Sequence, residues 1–428
     1  MKRTALVALP WLLAGCADVL GLDFDDKRLA EPTLQVLTDP TLEQVTDPDA
    51  PCVYFGTAID IDGDTALIGS PPGCAFVAER APSGEWRLVQ TLKRPAREIT
   101  GPRVWNGFGG EVALDGEWAL IADYGNMAEA FSEPGEVFVF RRGPNGFDWT
   151  ERVLRAGLGQ NRADRFGLSM DLEGSTAVIG AWGDNELIAA LGEEAGTKLG
   201  KDRGAVYVYT LQDEDWVTDE KLTLQDPRLG DKFGAAVALE GDTLVASASG
   251  RDGMYGTNTG AAYVFTRGAS FGDAAPEDLW PSGEFLGNAN LESVSVSGNQ
   301  LFAGAMGAGE GRGVAYAFES SGQRWNPTPT VFPRGNAERA TLTAGSRFGK
   351  GVAVDGDLAV ITTREEENVG AGYLYRRDRG EWAFSRRVDS ERGESFGFDV
   401  AVQRSTVAIG APLRRPIGVV YFHEFPDQ

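Results

Sequence analysis

Apolar and polar positions along this chain alternate in short runs, and long helical stripes are scarce. Residues 232–247, KFGAAVALEGDTLVAS, show the pattern. A Phe-Gly pair opens an alternating run, a Glu-Gly-Asp turn follows, and a second apolar run closes it. With period 2, Val237 and Leu239 share one face of a first strand. Glu240-Gly241 reads as the two-residue loop of a hairpin. A hairpin alone is only marginally stable in water, so this one needs neighbours.

The neighbours are copies of itself. Phe-Gly recurs at Phe55-Gly56, Phe108-Gly109, Phe166-Gly167, Phe233-Gly234, Phe348-Gly349 and Phe396-Gly397, with a degenerate copy at Asn290-Leu291. Each is followed by a related hairpin: AIDIDGDTALIGS, VALDGEWALIAD, MDLEGSTAVIGA, VALEGDTLVASA, VSVSGNQLFAGA, VAVDGDLAVITT and VAVQRSTVAIGA. A third segment is Gly followed by an aromatic-rich strand, as in GEVFVFR and GAVYVYT. A fourth begins with an aromatic: Trp86, Trp149, Trp216, Phe271, Trp325 or Trp382. Each unit therefore encodes a four-stranded meander.

These units resemble FG-GAP repeats, the repeats of the integrin α-subunit propeller, in their bacterial form F-G-x-x-V-A-x-x-G-D-T-x-x-x-G-A. The resemblance spans nearly all of residues 50–425, and Val407-Ala408-Ile409-Gly410-Ala411-Pro412 is the clearest GAP. It implies an all-β, seven-bladed β-propeller of four-stranded antiparallel blades. Physics agrees: a blade with two apolar faces buries both only between other blades. The Phe of each Phe-Gly reads as an inter-blade packing residue, and its Gly as a point of close backbone approach. The seventh copy ends at HEFPDQ without a fourth strand. The upstream segment Thr33–Leu37 resembles the fourth strands, so closure of the ring by this N-terminal strand is expected.

The N-terminus adds a second signature. Lys2 and Arg3 precede an apolar stretch from Ala5 to Leu13, the layout of a secretory signal. Leu13-Ala14-Gly15-Cys16 resembles the bacterial lipobox, which implies lipidation at Cys16 and cleavage before it. The expected organisation is a signal peptide over 1–15, a lipidated acidic tether over 16–31 and the propeller over 32–428. The chain is then a lipid-anchored cell-envelope protein on the periplasmic or surface-exposed side. Loss of the signal moves the formal charge from −23 to −25. Such acidity disfavours nucleic acid and anionic lipid head groups as partners.

Candidate chemistry is sparse. The sole histidine, His423, ends a third strand with no serine placed beside it, so it reads as a rim residue. Asp60-x-Asp62-x-Asp64 sits in a turn where integrin-type repeats bind calcium. Its Gly63 comes early, Ile68 stands where a closing acid belongs, and the turn is too short to wrap an ion. Solvated turns are expected, with no metal and no cofactor. Cys52 and Cys74 lie at one end of the first blade and are expected to form a disulfide, as an exported protein permits.

The loops between second and third strands vary most, and 183–203 is the longest. Residues 184–195 read as a short helix capped by Asp184 or Asn185. Asp184, Leu187, Ile188, Leu191, Glu193 and Glu194 form the candidate binding loop. The expected function is a monomeric, non-catalytic binding or scaffold module, recognising an envelope or extracellular protein or glycan through the loop face. An envelope hydrolase or lyase would instead need convergent carboxylates with shifted pKa around the channel. A calcium-dependent, integrin-like adhesin is the third reading.

Overall fold

The computed structural model describes residues 33–38, 52–95, 107–124, 135–156, 164–185, 202–253, 256–281, 288–322, 324–333, 342–364, 370–390, 395–414 and 418–425. Seven four-stranded antiparallel sheets follow one another in chain order, and their first strands pack side by side around a closed circle. Blade 1 runs through Ile59–Asp62, Thr65–Ser70, Cys74–Arg80 and Trp86–Lys93. The first strands of blades 2 to 7 are Val112–Asp115, Ser169–Glu173, Phe233–Glu240, Leu291–Ser297, Val352–Asp355 and Val400–Gln403. Thr33–Leu37 lies antiparallel to Val419–Glu424 and occupies the outer position of blade 7.

The core is a set of layers between blades rather than one centre. Seven clusters of buried side chains each draw from two adjacent blades, the last joining blade 7 to blade 1. Val237 and Leu239 face blade 3, whereas Ala238 between them faces blade 5. Period-2 alternation thus assigns every first-strand residue to one interface or the other. The six Phe of the Phe-Gly pairs are fully buried in these layers, and Leu291 takes the same place in blade 5. Each Phe ring meets its own third strand edge-to-face, as Phe108 meets Phe138 and Phe233 meets Tyr263. The backbone of Phe55, Phe108, Phe233 and Phe348 bridges to the preceding blade, as Phe108 does to Gly73 and Phe233 to Gly204.

Some local expectations need correction. The loop of the opening hairpin is Gly241-Asp242, because Glu240 still pairs with Thr243. In blade 2 the aromatic leading the fourth strand is Phe147, buried where Trp149 was expected; the strand begins at Gly146. Phe271 fills the equivalent slot in blade 4 from a short 3₁₀ turn, and the fourth strand itself is Glu277–Leu279. Cys52 and Cys74 are joined by a disulfide with Cα atoms 5.4 Å apart. Cys52 lies outside the strands, which removes the two-strand gap that a bridge between first and third strands would have to span.

Side chains join the blades at two radii. Near the axis, the last residue of each first strand accepts a hydrogen bond from the turn backbone of the next blade. Asp62 receives Gly116 N–H, Asp115 receives Gly174, Glu173 receives Gly241, and Glu240 receives Gly298. Ser297 receives Gly356, Asp355 receives Arg404, and Gln403 returns to Gly63, completing the circle. These acids were expected to be solvated; they stay at the surface and also accept N–H groups that the turns of the next blade leave open. At the rim, a fourth-strand side chain of one blade bonds the backbone at the leading aromatic of the next. Gln35 holds Trp86, Gln90 holds Phe147, Arg152 holds Trp216, Glu220 holds Phe271 and Glu277 holds Trp325.

Candidate functional site

The first strands of all seven blades enclose a central cavity of about 380 Å³. The repeat fills most of its wall with Val, Ala and Ser. Departures from the repeat put charge there. At the second residue after the Phe-Gly position stand Glu111 in blade 2 and Asp399 in blade 7, where other blades have Ala, Ser or Gly. At the fourth stand Asp60 and Asp171. At the first, nearest the loop face, stand Glu292 and Lys350. All six line the cavity.

Three of these carboxylates also hold the next first strand. Asp60 accepts Leu114 N–H at 2.7 Å, Asp171 accepts Leu239 N–H at 2.7 Å, and Asp399 accepts Ile59 N–H at 2.7 Å. The side-chain carboxyls of Glu111 and Glu292 make no hydrogen bond among the described residues. Burial is the main force on their protons. It pushes Asp171 up to about 7, against the Leu239 and Leu172 N–H groups, and Asp399 up to about 6, against Ile59 N–H and Lys350. Burial, with Asp171 adding to it, holds Asp60 well above the usual carboxylate range. Burial and then Asp399 do the same to Glu111. Each group keeps partial contact with the cavity, so water moderates the size of these effects.

This has a measurable consequence. The raised carboxyls keep protons in the folded chain that the unfolded chain releases between pH about 4 and about 7. Their contribution to stability is therefore full below pH about 4 and is lost as pH rises through 7. Asp171 alone would account for about 4 kcal/mol without screening, and about 1–2 kcal/mol with cavity water beside it. Glu111→Gln carries no charge to bury. It is expected to melt above the wild type at pH 8 and with it at pH 4. Equal differences at both pH values would show that Glu111 ionises freely in the fold.

The mouth on the loop face is built differently. Trp182, just after the second strand of blade 3, has the Arg165 guanidinium over its ring at 3.5 Å and the Lys232 ammonium at 5.0 Å. Phe398 carries Lys350 at 5.3 Å and Arg364 at 5.1 Å. Tyr124 packs over Gly110, and burial, then Glu111, moves its hydroxyl up to about 12. The opposite face carries the tight, latched first-to-second turns and the third-to-fourth connections, of which 267–276 and 320–329 are the longest.

The residues singled out from sequence fare unevenly. Asp184 is not offered to a ligand: it is buried, accepts the Tyr207 hydroxyl at 2.5 Å and pairs with Lys221 at 2.9 Å. It anchors the base of its loop. Leu187, Ile188, Leu191, Glu193, Glu194 and Cys16 lie outside the described residues. The Asp60, Asp62 and Asp64 carboxylates do not converge: Asp60 lines the cavity, Asp62 holds Gly116, and Asp64 faces Arg80 at 3.9 Å. Among the described residues no cluster of three or more acidic, His or Cys side chains is arranged to hold a metal ion. His423 is buried with neither ring nitrogen hydrogen-bonded among the described residues, and burial, then Arg386, lowers its pKa to about 4. It is a neutral structural imidazole. The cavity carboxylates were missed one blade at a time, yet stacking the seven copies exposes Glu111, Asp399, Asp171, Glu292 and Lys350 as outliers.

Residues 158–209 and 216–265 match the FG-GAP repeat family. No curated protein matches the sequence. Among solved structures, a chain in a crystal structure of the mitotic checkpoint complex superposes with a TM-score of 0.53 at 11% identity, covering 99% of this chain and 100% of that one. A crystal structure of the computationally designed Ika8 protein gives a TM-score of 0.45 at 11% identity, covering 88% of this chain and 98% of that one. At such identity the checkpoint likeness shows the fold alone. Among the described residues no helix is long and apolar enough to cross a membrane.

Proposed function

We propose, for a chain whose FG-GAP repeats fold as a seven-bladed propeller, a lipid-tethered binding module of the cell envelope that recognises a protein or glycan through its loop face. The observation that carries this reading is the asymmetry of the two faces. One is closed by a full circle of turn-to-turn hydrogen bonds. The other opens into a polar cavity ringed by half-buried aromatic rings with cations over them. Rigid scaffolds with variable loops concentrate recognition in those loops. The tether rests on the Leu13-Ala14-Gly15-Cys16 motif.

The test is capture from envelope extract by the immobilised full chain. Replacing residues 187–200 with a short Gly-Ser loop keeps the Asp184 anchor and is expected to abolish or reduce capture. Asp357→Lys, on the turn face, is expected to leave it intact. The reverse pattern overturns the reading. Labelled fatty acid is expected on the wild type and absent from Cys16→Ser; its absence from both removes the tether.

A second reading, an envelope hydrolase or lyase, draws on the raised Glu111 and Asp399 carboxyls beside Lys350. Such groups suit proton transfer near neutral pH. Turnover of a captured glycan that vanishes in Glu111→Gln and Asp399→Asn, with binding retained, would select it.

A further inference from the structure

We infer that the mouth and cavity together take an acidic sugar, a single hydroxylated ring bearing a carboxylate. The inference rests on the loop-face reading above and names what that face binds.

The chain has 63 acidic and 40 basic side chains, so cations are the scarcer partner. Lys232, Lys350 and Arg364 nevertheless make no ion pair among the described residues. They are gathered at one mouth. Lys232 lies over Trp182, and Lys350 and Arg364 share Phe398. Glu292 joins the two groups, since its carboxyl lies within the field of both lysines. An aromatic face strips water from one side of a cation and limits its wandering, so the charge is presented at reduced entropic cost. Cations gathered in this way match a ligand carboxylate.

Beneath them the wall changes character. Asp60, Glu111, Asp171 and Asp399 line the cavity and hold their protons more tightly than free carboxyls do. A protonated carboxyl both donates and accepts, and a carboxylate accepts, which is the set that sugar hydroxyls need. At about 380 Å³ the cavity is near the small end of ligand pockets, which suits one ring rather than a threaded chain. A cationic ligand would meet the lysines first, and an acid without hydroxyls would leave the carboxyls unused.

Calorimetric titration of the full chain with galacturonate and glucuronate tests this. At least one is expected to bind at least about tenfold more tightly than galactose or acetate. Lys350→Gln and Lys232→Gln are each expected to weaken it about tenfold, with the fold retained by circular dichroism. Trigalacturonate binding as tightly as the monomer assigns the site to a glycan end, and its exclusion assigns the site to the free acid. Uronates that bind no better than galactose, or that bind both lysine variants normally, overturn the inference. If the Lys232→Gln/Lys350→Gln double variant still captures an envelope partner while uronate fails to bind wild type, the loop-face reading stands and only the acidic-sugar assignment falls.

Discussion

Deleting residues 33–37 is expected to lower the melting temperature by about 4–7 °C, a loss of about 3–6 kcal/mol. The strand makes five consecutive register pairs with Val419–Glu424, from Thr33 opposite Glu424 to Leu37 opposite Val420. Leu37 is buried in the layer between blades 7 and 1. Gln35 does more than pair within its own sheet. Its side-chain amide donates to Trp86 O at 2.5 Å and accepts Trp86 N–H at 2.7 Å, tying blade 7 to blade 1. Gln90 makes the same two bonds to Phe147, from blade 1 to blade 2, at 2.7 and 2.8 Å. The N-terminal segment therefore behaves as a fourth strand in both its pairing and its clamp. Gln35→Ala separates the two, and a cost of about 1–2 kcal/mol is expected for the clamp alone. Hydrogen exchange at Val419–Glu424 should accelerate in the deletion and hold in Gln35→Ala. A deletion that melts with the wild type would mean that the ring does not depend on this strand.

Blade number and strand order are legible in the sequence because a repeat reports the same fact many times. A single Phe-Gly says little, but seven phased copies define the layers, and the missing fourth strand of the last copy points to Thr33–Leu37. Boundaries are less legible where the repeat drifts. Trp149 and Phe147 are both aromatic and only burial separates them. Phe271 keeps the slot of its counterparts while the strand starts later. The site was harder for a related reason. Repeat alignment draws the eye to what is shared, whereas the cavity is made by what is not. Glu111 and Asp399 come together only because the ring brings blades 2 and 7 to one axis. Asp184 misled for the opposite reason: an acid in a long loop suggests exposure, and nothing local in the chain announces Tyr207 and Lys221 folding over it. The acidic turns were under-read too, since the backbone N–H groups that donate to them belong to the next blade, far along the chain.

The Gly of Phe-Gly offers the sharpest check on how the blades meet. Gly109 and Gly116 belong to one blade and both have positive φ, 86° and 55°. A Cβ on Gly109 would overlap the Cys74 carbonyl oxygen, backbone of blade 1 that cannot swing aside. A Cβ on Gly116 would meet nothing within 4 Å. Both alanine variants restrict the unfolded chain alike and both place a side chain in the left-handed region, at about 1–2 kcal/mol. Gly116→Ala is expected to cost about that much, and it retains the N–H that Asp62 accepts. Gly109→Ala must also push apart two backbones where Phe108 bridges to Gly73, and about 4–5 kcal/mol is expected. Urea unfolding of the two variants reads the difference directly. Similar midpoints for both would show that the Phe-Gly position is a conformational requirement only. A gap of several kcal/mol would show that glycine is needed there because another blade's backbone occupies the space.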